Sequence, residues 1–306
     1  MNESTDTVTK LLLSCCGYES RCVRHYEQGK RVDAYSTIII FDYQCNGLHS
    51  YDNNRTYIGS LLHEDTRIIT NWDQYLANVK EIVLSNFLMD VSVDITSFDR
   101  KKMGDIFLLL YHYKANLHRS EIFYYPQKYA RPSAHLETVS AFSPLSGSYL
   151  AERSLSQAGT TLIAGAGYEF GKIIGALDVL EPDEVFCFIP KSSDDRFEDS
   201  INMANNDFEF LSDYPSGMDR LVSYDIYNVS KLYSVLRGLV DHDVGRRNVL
   251  ILPMGPKIFA FVSILLALQY KNKVMVWRYS TVDSHVPGTT RDAIASGEII
   301  QFSFSF

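Results

Sequence analysis

Two kinds of apolar pattern alternate along this chain. Short β-branched and aliphatic runs read as buried strands at Leu11–Cys15, Thr37–Phe41, Val91–Ile95 and Glu121–Tyr125. They recur at Thr161–Ala164, Val185–Ile189, Leu221–Ile226, Val249–Pro253 and Val274–Trp277. Between them, apolar residues spaced three and four apart predict helices: a short one after Gly17 to about Gln28, then Trp72–Leu88 and Ser97–Tyr113, with Leu108, Leu109 and Leu110 buried. In the second half the same spacing predicts a helix ending near Leu180, then Val229–Val240 and Lys257–Gln269, the last apolar on every side. Asp42–Asp65 reads as loop with a short hairpin, Pro126–Gln157 as the crossing between halves, and Lys191–Asp207 as a polar acidic stretch. Glu298–Phe306 alternates as a terminal strand.

Strands alternating with helices predict an α/β protein with mainly parallel sheets. The order starts again near the middle, which predicts two Rossmann-like lobes, 1–150 and 151–306. Three landmarks repeat in order: Ser14–Arg21 (SCCGYESR) with Ala164–Lys172 (AGAGYEFGK), Phe41–Gln44 with Ile189–Ser192, and Val91–Arg100 (VSVDITSFDR) with Val222–Lys231 (VSYDIYNVSK). They point to an internal duplication.

Ligands of parallel α/β sheets sit beyond the carboxyl ends of the strands. The candidates gather there: Glu19, Asp94, Glu169 and Asp225 as weak catalytic candidates, Gly165, Gly167, Gly255 and Lys257 as ligand-binding ones. Gly165-x-Gly167-x-x-x-Gly171 resembles a dinucleotide fingerprint with one residue too many, and Pro190-Lys191 stands where an acid would hold a ribose. A tight strand–helix turn explains the same glycines. Glu19 and Glu169 equally suit favourable pairing with a helix dipole, and Asp94 and Asp225 suit turns or N-caps. Read functionally, a Glu and an Asp from neighbouring strand ends meet over one crevice and either divide into acid and base or hold a metal with oxygen ligands. Lys257 is the unusual residue. A cation in the first turn opposes the macrodipole, and the amides there favour an anion, so a bound phosphate reconciles the two.

A formal charge of -8 over 306 residues argues against generic nucleic-acid binding. The five cysteines, Cys15, Cys16, Cys22, Cys45 and Cys187, show no paired spacing and suit a reducing cytoplasm, with Cys15 and Cys16 as core. The eight histidines (His25, His49, His63, His112, His118, His135, His242, His285) show no zinc spacing, and His242 reads as loop. No metal site is expected. The start lacks signal-peptide character, and Phe259–Leu268 is too short to span a bilayer. Tyr124–Tyr129 suits a protein interface.

Pro253–Phe261 (PMGPKIFAF), with a strand on either side, resembles the lysine turn of the CRISPR-associated Rossmann-fold (CARF) sensor domains. The related SAVED domains resemble two such units fused in one chain. In this sequence Pro256 stands at the family's Thr and Met254 at its second glycine. The resemblance implies a cyclic oligonucleotide or other nucleotide as ligand, with Lys257 on its phosphates. It further implies a sensor or regulatory subunit of a bacterial antiviral defence system, joined to another subunit or to itself. A looser likeness, on the Gly-Tyr-Glu and Asp-Ile-Thr-Ser words, is to uncharacterised two-lobed proteins of bacterial defence clusters and implies no activity. A nucleotide-processing hydrolase or transferase and a scaffold for an ATPase or nuclease stay open beside it.

Overall fold

The computed structural model describes residues 8–27, 33–61, 64–86, 88–132, 139–150, 159–169, 171–192, 194–281 and 292–306. His63, Phe87, His135 and His285, and most of 126–157 that is not β-strand or short helix, were named from sequence but lie wholly or partly outside these residues.

The protein is α/β, with two six-stranded sheets, each mostly parallel and flanked by helices. The first holds β1 (Lys10–Cys16), β2 (Thr37–Asp42), β3 (Thr66–Ile69), β4 (Met89–Asp94) and β5 (Leu117–Tyr124), joined by α1 (Arg24–Glu27), α2 (Tyr51–Ser60), α3 (Trp72–Ser85) and α4 (Arg100–His112). Next comes β6 (Val139–Pro144). The second sheet is built on β7 (Thr160–Gly165), β8 (Glu184–Lys191), β9 (Leu221–Asp225), β10 (Asn248–Pro253) and β11 (Val274–Thr281), with α5 (Lys172–Leu180), α6 (Asp195–Ala204), α7 (Val229–Asp243) and α8 (Lys257–Tyr270) between them. The chain closes with β12 (Ile300–Phe304).

The strand orders are β12-β5-β4-β1-β2-β3 and β6-β11-β10-β7-β8-β9. Each is the doubly wound order 3-2-1-4-5, and each ends in one antiparallel strand, β12 on β5 and β6 on β11. These are two Rossmann-like lobes. The chain divides into compact units Met1–Lys128 with His285–Phe306, and Tyr129–Ser284. The division expected from sequence, 1–150 and 151–306, differs from this at both ends, because the two antiparallel strands each complete the sheet of the other half.

Several expectations are corrected. Asp42–Asp65 is not loop and hairpin. It carries α2 and leads into β3, which begins at Thr66, and α2 buries Tyr51, Asn54 and Ile58 along one face. Its Asn, Gly and Thr are poor helix formers, so tertiary burial overrides propensity. The crossing segment carries β6, and the acidic stretch carries α6, whose Asp194 accepts from the Arg196 amide as N-cap. On α4, Met103, Ile106, Phe107 and Leu110 are buried while Leu108 and Leu109 are only half-buried. The short helix after Gly17 begins as a 3₁₀ turn, Ser20–Val23, before α1. His242 lies in the last turn of α7 rather than a loop. Helix α8 buries Ile258 through Leu268 without a break, as its all-round apolar character requires.

Candidate functional site

At the topological switch point of a doubly wound sheet, the loops after the first and fourth strands diverge to opposite faces and leave a crevice. In lobe 2 these strands are β7 and β10, paired through to Pro253 opposite Gly165. Gly165, Gly167, Gly255 and Lys257 therefore meet here, three glycines and one cation from two separate words. The glycines are needed for close approach. A Cβ on Gly165 would sit 2.6 Å from the Phe259 ring, and one on Gly167 2.6 Å from the Gly255 Cα and N. Gly255 itself has φ 70°, the left-handed region that favours glycine. Gly171, the third glycine of the fingerprint, has no packing role. With φ 68° and nothing near its missing side chain, it is the N-cap of α5.

The anion at the start of α8 is one of the protein's own. Glu169 Oε1 accepts from the Gly255 amide at 3.4 Å, long for a bond to a carboxylate, which ordinarily runs about 2.7–2.9 Å. No side chain of α8 caps it, since Pro256 is its N-cap. Lys257 is half-buried at that same end.

Lobe 1 places Glu19 at the corresponding position, after β1 and beside the turn that follows β4. Its Oε2 accepts from Ser97 Oγ at 3.3 Å. Here the crevice is charged. Arg21, 5% exposed, grips both Glu19 oxygens, Nε to Oε2 and Nη2 to Oε1 at 3.1 Å each, and donates Nη1 to the Tyr125 carbonyl. Burial alone would lower the Arg21 pKa, but the Glu19 carboxylate outweighs it and holds the guanidinium firmly protonated. Cys22 is pushed well above the usual thiol value by burial first, with Cys16, Asp94 and Glu19 contributing. Asp292 adds a third acid, accepting from the Ser20 amide and from Ser50 Oγ at 2.6 Å each.

Asp94 and Asp225 are not equivalent. Asp94 ends β4, a central strand, and Asp225 ends β9, the edge strand. β8 separates β9 from β7, so Asp225 does not face Glu169 across neighbouring strand ends. What the two words share is local. Asp94 Oδ1 accepts from the Thr96 amide and Asp225 Oδ1 from the Tyr227 amide, each at 2.9 Å. The common spelling encodes the same Asx turn at two different places. The N-caps beyond these turns are Asp99 and Asn228.

Two residues the motifs did not single out hold the Gly-Tyr-Glu turns. Asn54 Nδ2 donates to the Gly17 carbonyl at 3.0 Å, and Asn205 Nδ2 to the Gly167 carbonyl at 3.2 Å. Both amides are almost fully buried, at 4% and 2% exposure. Their signal in the sequence is spacing, 37 residues after one glycine and 38 after the other.

Other candidates have plain structural roles. Cys16 is pushed up to about 12 by burial and by Asp42, so its thiol is inert. All five cysteines are buried. Asp42, the acid ending β2, already accepts from Tyr51 Oη, the Gln44 amide and Arg55 Nε. Tyr124 and Tyr125, expected at an interface, are buried at 4% and 2% exposure. A groove of about 630 Å³ runs between α3 and α4, lined in part by Trp72, Leu76, Lys80, Lys101 and Leu108, and no candidate residue lines it. Among the described residues no group of three or more His, Cys, Asp or Glu could hold a metal, and no helix is long and apolar enough to cross a membrane.

Fold and site together define a two-lobed α/β protein of the doubly wound class with one topological switch point per lobe. No family model and no curated protein matches the chain.

Proposed function

We propose that this protein is a non-catalytic nucleotide-binding sensor or regulatory subunit, and that lobe 2 holds the ligand by its phosphate at the crevice between Gly165–Gly167 and Gly255–Lys257. One observation carries the reading: two side-chain-free turns touch backbone to backbone at the switch point, where a long helix begins with a lysine. Such a place presents amides and a positive dipole end to an anion. Glu169 already offers one carboxylate oxygen to the Gly255 amide, and a phosphate with Lys257 as its counter-ion would take that place. The CARF-like resemblance of the same turn makes a cyclic oligonucleotide the first ligand to try. The five buried thiols suit a cytoplasmic protein, and the sensor role calls for a partner subunit or a second copy.

Thermal shift and calorimetry with mono-, di- and cyclic nucleotides test the proposal. A ligand at one hundred times its Kd stabilises by about 2.7 kcal/mol, and Lys257→Ala should remove the shift while leaving the unliganded melting point unchanged. A panel with no shift, or a Lys257→Ala variant that responds like the parent, overturns it.

A second reading rests on lobe 1, where Glu19 accepts from Ser97 in the turn after β4 and Asp94 ends β4. It makes lobe 1 a hydrolase or transferase acting on nucleotides. It predicts turnover that Asp94→Asn abolishes with folding intact. The sensor reading is preferred because Glu19 is committed to Arg21 and Asp94 to its own turn.

A further inference from the structure

Each lobe repeats the other down to single contacts. A glycine follows the first strand (Gly17, Gly167), a buried asparagine holds its carbonyl (Asn54, Asn205), and a glutamate two residues on bonds the fourth-strand turn (Glu19 to Ser97, Glu169 to Gly255). The repeating unit in sequence is then five parallel strands and a sixth: β1 to β5 with β6, and β7 to β11 with β12. Yet β6 does not pair with β5, nor β12 with β11. β6 lies antiparallel on β11, and β12 lies antiparallel on β5.

We infer that the chain is a duplication whose two repeats have exchanged their last strands, so that neither half can complete its own sheet. An open fifth strand would present a row of unpaired amides and carbonyls, and exchange of an identical element between copies is an inexpensive way to cover it. The side chains bear this out on both sides. Phe142 of β6 stacks on Tyr279 of β11 at 4.5 Å, and Phe304 of β12 meets Phe107 of α4 at 5.7 Å. The exchange is a coupling device. Loosening one repeat withdraws a strand from the sheet of the other, so each sheet's edge depends on the other repeat.

The full-length chain tests this. Neighbouring strand residues alternate in whether their amide faces the ladder, so of Gln301→Pro and Phe302→Pro one removes a bond to β5 and the other is its control. Hydrogen exchange should then show protection falling about tenfold or more in Leu117–Tyr124 and unchanged in Val274–Thr281. The parent should melt in one transition, which the same variant splits into two. Loss at Val274–Thr281 instead, or a parent that melts in two steps, overturns the inference. A covalent test does not depend on the proline variants folding. Phe302 and Ile122 are register partners, and Leu145, whose amide bonds Val276, extends β6. In a chain cut at a protease site inserted within 151–158, an Ile122→Cys/Phe302→Cys disulfide should hold the halves together on a denaturing gel. If Ile122→Cys/Leu145→Cys links instead, the strands are not exchanged.

Discussion

The two switch points share one backbone plan and opposite chemistry. In lobe 1 the turn after β1 is held by side chains, Glu19 clamped by Arg21 and Asp292 accepting from the Ser20 amide. In lobe 2 glycines stand opposite Arg21 and Ser97, at Gly171 and Gly255, and the carboxylate Glu169 accepts from the Gly255 amide. Ser97 stands beside the first glutamate where Gly255 stands beside the second. The fold therefore fixes where a crevice lies, and a handful of side chains decides whether it is sealed by ion pairs or left to backbone. A sealed crevice stabilises its lobe. A turn built of glycine exposes its backbone amides instead. On this view ligand binding should be confined to lobe 2, and calorimetry should give one site per chain.

The largest effect should come from breaking the seal. Arg21→Met leaves Glu19 without its guanidinium in a buried setting, and removing one partner of such a pair costs about 3–5 kcal/mol. Denaturant unfolding of the variant should show that loss, with ligand affinity at lobe 2 unchanged. Glu169→Gln keeps an oxygen for the Gly255 amide and should cost clearly less than Arg21→Met. Equal losses would erase the contrast between the crevices.

A single methyl group sharpens the comparison next. Gly167→Ala drives a Cβ to 2.6 Å from the Gly255 backbone, whereas the Cβ of Gly17→Ala finds its nearest atom 3.8 Å away, on Ser97. Overpacking against backbone costs about 1–3 kcal/mol, and Gly17→Ala should stay within about 0.5 kcal/mol. Gly167→Ala should also abolish nucleotide binding. The asparagines should behave alike instead. Asn54→Ala and Asn205→Ala each leave a glycine carbonyl without its buried donor, at about 1–3 kcal/mol, so similar losses would support a common origin for the two turns.

These contrasts also explain what could be read from sequence. Strands such as Thr37–Phe41 and Val249–Pro253 were legible because continuous β-branched runs have few other uses. The α2 segment was not, since YDNNRTYIGS has the composition of a loop and is helical through what it buries. β6 and β12 were short, and their pairing depends on distant partners, so no local pattern announces the exchange. The Gly-Tyr-Glu words were found correctly as equivalents. The Val-Ser-x-Asp-Ile words were not equivalents, because an Asx turn is spelled the same way wherever a strand ends. Asn54 and Asn205 escaped because a lone asparagine gives no sign of burial; only their matching distance from a glycine marks them.

The smallest effect is a pH dependence that one crevice has and the other lacks. At the start of α4, Asp99 accepts from the Lys102 amide and pairs with its ammonium at 2.8 Å. Burial would raise its pKa, but the Lys102 charge and bonds outweigh it and hold the carboxyl below its ordinary 3.8. A folded value below the unfolded one means the bound proton favours the unfolded chain. The stabilisation is thus present above pH 3.8 and is lost as pH falls through the lower folded value. With the Asp99 side chain 45% exposed, screening keeps the contribution under about 1 kcal/mol. Helix α8 has Pro256 as its N-cap, which brings no carboxylate of its own to the first turn. Hydrogen exchange corrected for intrinsic rate should show the first turn of α4 loosening between pH 5 and pH 2.5 relative to that of α8. Asp99→Asn keeps an oxygen for the cap, since Asn serves there as well as Asp, but it cannot titrate. The variant should flatten the pH profile of α4 without unravelling the turn, and a profile that keeps its slope would move the titration to another group.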